Sequence, residues 1–435
     1  MNICVFGLWH LGSVTSACLA RLSHRVIGLD FNEEIINSLQ KTKAPLFEPG
    51  LDEMIREGVR SGKLSFTRNA AKALEKAEVL WVTFDTPVSD KDVADISFLE
   101  DNIKKIMPYF KVGLRIVISS QAPVGFVSRI EGIFTKRYPR KKCYFACSPE
   151  NLKLGKAIEA FLNPDRIIIG VRDKESKAAF NSLFSSISKH LEWMKIESAE
   201  MTKHAINSFL AVSVSFANEI ASICEKSGAD AREVARGLKT ESRIGPKAYL
   251  RPGTAFSGGT LARDINFLIR LSNKFKLPSY LIKVVNSSNS FHKKWTERKC
   301  RQVLKDFRRK KIAILGLAYK SGIDTLRRSP ALELARSLHT KGAEVRGFDP
   351  IIKSITRNVS KVIELKKSVD EAIIDAEVVI ISADCPEFLD FGSGIMNLMR
   401  KKFIIDPNGF IADLFDSTEF NYICVGRDYK EGGKV

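Results

Sequence analysis

The residues best suited to chemistry open the chain. Gly7-Leu8-Trp9-His10-Leu11-Gly12 lies between a strand-like run at residues 3–6 and a helical one at residues 13–22. A glycine turn leading into a helix offers a phosphate free backbone N–H groups and the positive end of the helix dipole. Asp30 stands eighteen residues past Gly12, at the end of the next strand-like run. A carboxylate there accepts the ribose hydroxyls of NAD and repels the extra phosphate of NADP. The middle glycine of the usual fingerprint is Trp9, a bulky side chain at the position of closest approach to a pyrophosphate. His10 has no partner visible in the sequence and reads as a loop or packing histidine.

Two further groupings carry chemical promise. Lys203 and Asn207 stand one helical turn apart, so both side chains leave the same helix face. By themselves they read more readily as a solvated edge. The glycine-rich run at residues 253–259 could bring backbone amides close to an anion, or simply make a tight connection. Cys143 and Cys147 share a strand face by alternation, but no second pair completes a zinc site, and no metal is expected.

These groups need a frame, and the periodicity supplies one. Strand-like runs at residues 26–30, 79–83, 115–118, 144–147 and 166–170 alternate with helical spacers, which implies a parallel sheet. From residue 197 to 226 apolar residues recur at helical spacing, and Ser227-Gly228 ends the pattern. Helical spacing continues over residues 265–291, and the basic stretch 298–311 reads as a linker. The opening theme then returns, with a strand at 311–315, Gly316, a helix at 330–341, a strand at 344–348 and Asp349. The expected fold is α/β, with two Rossmann-like doubly wound parallel-sheet domains joined by a central helical domain. The boundaries drawn are 1–196 for an NAD-binding domain, 197–298 for the helical one and 299–435 for a second Rossmann-like domain.

Composition narrows the function class. With 435 residues, 44% hydrophobic and 27% charged, the chain is neither disordered nor fibrous in character. Continuous apolar stretches such as 167–169 and 378–381 are strand-length, far short of the ~20 residues that cross a bilayer. The chain passes from Met1-Asn2 directly into a strand without a basic region, so a cytoplasmic location is expected. Eight cysteines are too sparse for a disulfide scaffold and should mostly be buried thiols. The net charge of +19 is spread between strands and at helix ends without arginine-aromatic interleaving. It suits acidic small molecules or a basic exterior, and neither a nucleic-acid nor a membrane partner is expected.

Several segments, in order, resemble the UDP-glucose/GDP-mannose dehydrogenases. They are Ala44-Pro45-Leu46-Phe47-Glu48-Pro49-Gly50-Leu51, Thr86-Pro87 with Asp95, Ser148-Pro149-Glu150, and Asn163-Pro164-Asp165-Arg166 with Gly170. The likeness continues through Glu200-Met201-Thr202-Lys203, Asn207 and Ser215-Phe216-Ala217-Asn218-Glu219. It ends with Leu315-Gly316-Leu317-Ala318-Tyr319-Lys320, Asp324, Arg327, Ser329-Pro330 and Phe348-Asp349-Pro350. The resemblance covers about residues 2–410. It implies NAD-dependent oxidation of the C6 hydroxymethyl of a nucleotide sugar, a UDP-sugar first, through an aldehyde to the carboxylate.

Carried onto this chain, the resemblance implies a cofactor site of Gly7, Trp9, Leu11, Gly12, Asp30, Thr86 and Gln121. Lys203 takes the place of the oxyanion stabiliser or base with Asn207 one helical turn on, Glu150 that of a water-activating carboxylate, and Asp264 that of a second acidic member of the site. Substrate contacts fall on Glu150, Leu152, Lys203, Asn207, Arg243, Lys247, Phe256, Gly258 and Lys320. A homodimer is implied, with the long helix after Glu197 at its interface.

The chain departs from the family where the chemistry is done. Thr260, in Gly258-Gly259-Thr260-Leu261-Ala262-Arg263-Asp264, falls on the nucleophilic cysteine, and no cysteine lies within 35 residues. A threonine hydroxyl is a far poorer nucleophile than a thiolate unless a base activates it. Gln121 stands for the usual threonine, and Asn408 for the arginine expected to reach substrate across a subunit boundary. Two readings stay open: an oxidoreductase completing one or two oxidations without the thiol, and a catalytically inactive homologue that binds a nucleotide sugar or dinucleotide.

Overall fold

The computed structural model describes residues 1–87, 95–150, 152–257, 259–319, 321–322, 325–390, 397–414 and 421–427. The chain forms two compact units, Met1–Ile206 and Asn207–Val435.

The first unit is built on an eight-stranded sheet. Its strands are β1 Asn2–Phe6, β2 Arg25–Leu29, β3 Leu64–Thr67, β4 Val79–Val82, β5 Arg115–Ile118, β6 Tyr144–Cys147, β7 Ile167–Gly170 and β8 Leu191–Met194. The order is β3-β2-β1-β4-β5-β6-β7-β8, so the winding reverses between β1 and β4, where open α/β sheets bind ligands. Phe6 pairs with both Leu29 and Val82, which brings the carboxyl ends of β1, β2 and β4 level. Helices cover both faces, which is why runs such as Val79–Val82 are continuously apolar rather than alternating.

One detail departs from the parallel expectation. β7 meets β6 antiparallel, through the single pair Cys147 and Gly170, and β8 then runs parallel to β7. The intervening helix, Ala157–Leu162, has six residues and rises only about 9 Å, less than a full crossover helix needs.

The second unit carries a six-stranded parallel sheet: β9 Lys311–Leu315, β10 Glu344–Phe348, β11 Glu364–Leu365, β12 Val378–Ile381, β13 Phe403–Ile405 and β14 Asn421–Ile423. Its order, β11-β10-β9-β12-β13-β14, repeats the reversal, now between β9 and β12. Helical spacing over 265–291 resolves into two helices, Thr260–Lys274 and Tyr280–Lys293, interrupted around Pro278. The first half of the expected linker is instead part of the helix Trp295–Leu304, and the segment is anchored by buried Trp295, Cys300, Leu304 and Phe307. Its basic residues conceal that apolar stripe from a reading based on charge.

The 32-residue helix Ile196–Ser227 belongs to both units and is long and apolar enough, by length and composition, to cross a membrane. A search for unbroken apolar runs passes over it because Glu200, Lys203, His204, Asn207 and Asn218 interrupt the sequence. All five are buried among protein groups, which marks them as structural or functional. All eight cysteines are free, and seven are buried.

Candidate active site

The cofactor half rests on the turn after β1. Gly7 reverses the chain at φ +96°, a region that favours glycine, and its N–H donates to Leu29 O at 3.0 Å. A Cβ on Gly12 would lie 1.8 Å from Gly7 O, so glycine there lets helix His10–Arg21 start against the strand. Asp30 is buried at the end of β2. Its Oδ2 accepts the Leu8 N–H at 2.7 Å and its Oδ1 the Asn32 N–H at 2.9 Å. A carboxylate held in this way keeps lone pairs for two vicinal ribose hydroxyls. Trp9 is 42% exposed while Leu8 fills the interior, so the bulk at the place of the missing glycine lies toward solvent. Leu11 is buried beside the turn, and the Thr86 hydroxyl donates to Gln121 O at 2.7 Å. The residues present fit a bound dinucleotide.

His10 does have a partner. Its Nε2 lies 2.9 Å from Glu48, whose carboxylate also accepts the Gly155 and Ala157 N–H groups, each at 2.8 Å. Glu48 therefore ties the first helix to the start of helix Ala157–Leu162, which supports the packing role read for His10 and supplies a partner that the sequence did not reveal.

The chemical half of the first unit is a small cleft lined by Ser120, Gln121, Cys147, Glu150, Glu200 and Lys203, among others. Lys203 donates from Nζ to the main-chain oxygen of Glu150 at 2.6 Å, and Glu150 Oε1 lies 3.5 Å away. An ammonium has three donors, so this anchorage fixes its position and leaves capacity for a substrate oxygen. Glu150 Oε2 in turn accepts the Leu152 N–H at 2.7 Å, so Leu152 serves here as a backbone support for the carboxylate.

Glu200, one turn before Lys203, has no role that the sequence motif reveals. Its carboxylate accepts the Gly125 and Val127 N–H groups, fixing the start of helix Phe126–Arg137 beside the cleft, and burial raises its pKa. Its spacing from Lys203 was the available signal. Cys147 was missed as a lining residue. Burial, reinforced by Glu200 and Glu197, pushes its thiol well above the ordinary range, so it is no ready substitute for the family thiolate. Ser119 accepts the Trp81 indole N–H at 2.7 Å and donates to Ser148 O at 2.6 Å, knitting together three strand ends.

In the second unit Asn207 Nδ2 donates to Asp264, which is fully buried. Thr260 opens helix Thr260–Lys274 and is exposed, with no hydrogen-bond partner for its hydroxyl among the described residues. The sequence did not single out Arg328: a Cβ on Gly259 would sit 3.2 Å from its Nη1, so this cation lies against the loop leading to Thr260. Phe256 is held by Asn289, which accepts its N–H at 3.0 Å and donates to its carbonyl at 2.8 Å. Arg243 is exposed and paired with Glu241 at 2.9 Å, and Lys247 is exposed. Gly258, Lys320 and Asp324 lie outside the described residues. A groove of about 390 Å³ runs past Thr254, Ser257, Lys293, Pro330, Ser382 and Pro407, reaching the ends of β12 and β13.

Three family models match in order: the NAD binding domain of the UDP-glucose/GDP-mannose dehydrogenase family over residues 1–188, its central domain over 197–290 and its UDP binding domain over 313–413. UDP-glucose 6-dehydrogenase YwqF of Bacillus subtilis is 32% identical over 431 residues, covering 98% of both chains. The chain belongs to the UDP-glucose/GDP-mannose dehydrogenase family. The UDP-glucose 6-dehydrogenase of Rhizobium meliloti is likewise 32% identical, over 98% of this chain and 100% of its own. The structure of a UDP-glucose dehydrogenase from Pyrobaculum islandicum superposes with a TM-score of 0.87 at 26% identity, covering 98% of this chain and 97% of the other. That of a UDP-D-ManNAc dehydrogenase from Pyrococcus horikoshii gives the same TM-score and identity, covering 98% and 99%. This family member is accordingly an NAD-dependent nucleotide-sugar dehydrogenase. Two neighbours named for different sugars match equally well, so overall likeness does not select the sugar.

Proposed function

We propose that this dehydrogenase oxidises the C6 hydroxymethyl of a UDP-sugar, UDP-glucose first among them, to the aldehyde, with Lys203 and Glu150 as its central pair. The observation that carries the reading is Lys203 Nζ, anchored on Glu150 O at 2.6 Å with the Glu150 carboxylate 3.5 Å away. Bound NAD supplies the hydride acceptor. The Lys203 ammonium stabilises negative charge as it develops on the sugar oxygen, and the Glu150 carboxylate takes the hydroxyl proton through water. Asp264 holds the Asn207 amide in one orientation, so that Asn207 orients the sugar without searching rotamers. Gly7, Trp9, Leu11, Gly12, Asp30, Thr86 and Gln121 serve the cofactor. Leu152, Arg243, Lys247, Phe256, Gly258 and Lys320 serve the nucleotide sugar, the cations by their charge complementarity to its diphosphate.

Thr260 limits the reaction. Carrying the aldehyde to the acid through a covalent adduct requires a nucleophile ionised near neutral pH, and an exposed hydroxyl with no base beside it among the described residues is not one. The expected yield is one NADH per sugar. The three divisions at 1–196, 197–298 and 299–435 serve as cofactor, dimerisation and UDP-binding parts. Helix Ile196–Ser227 leaves Phe209, Phe216 and Ile223 exposed at seven-residue intervals, an apolar stripe suited to a second copy of the chain. Eight free thiols suit the reducing cytoplasm.

The deciding experiment mixes purified protein with NAD and UDP- and GDP-sugars and counts NADH per sugar consumed. One NADH supports the aldehyde as product. Two would mean that water, rather than Thr260, carries a second oxidation. The state of Thr260 also favours a second reading, a silent binder of nucleotide sugars. No NADH across the panel, from protein that still binds UDP-glucose in a calorimeter, would establish that reading and overturn the first.

A further inference from the structure

We propose that Asn408 is a positioning residue that sets the glycine-rich loop at residues 253–257 from within the same unit, doing by internal hydrogen bonding what the sequence leads one to expect of an arginine aimed at substrate. The Asn408 Oδ1 accepts the Thr254 N–H at 2.9 Å, and its Nδ2 donates to Asp384 at 3.0 Å. The Asn408 carbonyl accepts from Arg251 Nη2 at 2.9 Å, so one residue grips the loop from both its side chain and its backbone. The contact is close: a Cβ on Gly253 would lie 2.6 Å from Asn408 Oδ1, so any larger residue there would push the amide aside.

The rest of the loop is gripped just as fully. Gly253 N–H donates to Asn218 at 3.0 Å, and Gly253 O lies 2.8 Å from His292 Nε2. Asn289 clamps both backbone groups of Phe256. Four side chains, none of them expected to touch substrate, thus hold the backbone of a loop that lines the large groove and leads to Thr260. A loop fixed before substrate arrives does not have to be ordered on binding, and the benefit appears as affinity. An arginine at 408 has no carbonyl-type oxygen with which to accept the Thr254 N–H. The substitution therefore exchanges a charge available to a ligand for an amide that orders the loop. This rests on the proposed use of the loop by a nucleotide sugar.

The test compares Asn408→Ala and Gly253→Ala with the unaltered protein by hydrogen exchange of a peptide spanning residues 250–257, by calorimetric titration with UDP-glucose, and by steady-state kinetics. In both variants the loop amides should exchange at least about tenfold faster. The KM or Kd for UDP-glucose should rise about tenfold, with kcat, the KM for NAD and the melting temperature little changed. In Gly253→Ala the Asn408 amide is intact but displaced, so agreement between the two variants assigns the effect to the contact. Unchanged exchange in Asn408→Ala, or faster exchange with unchanged affinity for UDP-glucose, would overturn the proposal. Exchange and calorimetry need no turnover, so a protein that makes no NADH would defeat the dehydrogenase reading while still deciding this one.

Discussion

Asp349 accepts four backbone N–H groups where Asp30, its counterpart in the first sheet, accepts two. Asp349 Oδ2 takes Leu317 and Ala318 at 2.7 and 2.9 Å, and Oδ1 takes Ile351 and Ile352 at 2.9 and 3.2 Å. Asp30 receives only Leu8 and Asn32 among the described residues. The two sheets share a glycine turn and a carboxylate at the end of the second strand, yet only the first leaves that carboxylate with acceptor capacity for a ribose. The dinucleotide accordingly belongs on the first sheet, and in the second the same device has become a structural staple.

Asp30→Asn should weaken NAD by roughly tenfold or more and narrow the preference for NAD over NADP. Asparagine still accepts the Leu8 N–H, so the turn should survive. Kinetics with both dinucleotides, beside a thermal melt, check this; an unchanged ratio of kcat/KM values would remove Asp30 from the cofactor site.

Lys203→Ala should lower turnover by about 10³-fold, the scale seen when a preorganised oxyanion donor is lost. NAD binding should be unaffected, because Lys203 holds Glu150 and not the turn after β1. NADH production in the variant within a few-fold of the parent would defeat the site assignment.

Thr260→Ala should leave the NADH yield at one per sugar, since the hydroxyl has no activating partner among the described residues. Thr260→Cys should move it toward two, because a thiol at the start of a helix ionises more readily and can capture the aldehyde. An equal yield in parent and cysteine variant would show that the second oxidation is limited elsewhere.

Acid should loosen the second unit through His292. Burial lowers its pKa, and Arg298 lowers it further, against the opposing influences of the Gly253 carbonyl and Glu225. The folded pKa lies below the unfolded value of about 6.5, so the unfolded chain takes the proton first. The stability contribution is therefore present above about pH 6.5 and declines as pH falls below it. Melting temperatures over about pH 7.5 to 5.5 should fall, and less so in His292→Gln, whose amide can still donate to Gly253 O.

Phe209→Glu combined with Phe216→Glu should convert the proposed dimer to monomer, as read by light scattering on a sizing column. Both side chains are well exposed in the isolated chain, so folding of the unit should be spared. A parent protein that is already monomeric would refute the assigned role of this helix.

What the sequence determined by itself was local. The turn from Gly7 to Gly12, the acid at Asp30, the alternation of strands and helices and the 32-residue helix all follow from near-neighbour rules: glycine sterics, strand runs and helical period. Even the misread segment at 298–311 failed for a local reason, since its charge masked a narrow apolar stripe of Trp295, Cys300 and Leu304. The tertiary structure decided the partners. Lys203 finds Glu150 across 53 residues, Asn207 finds Asp264 across 57, and Asn408 finds Thr254 across 154. No periodicity signals such pairs, because each residue is unremarkable in its own segment. They arise because the topology brings distant segments together; where it buries them, as at Asn207 and Asp264, a donor or acceptor removed from water must be matched by whichever group lies beside it.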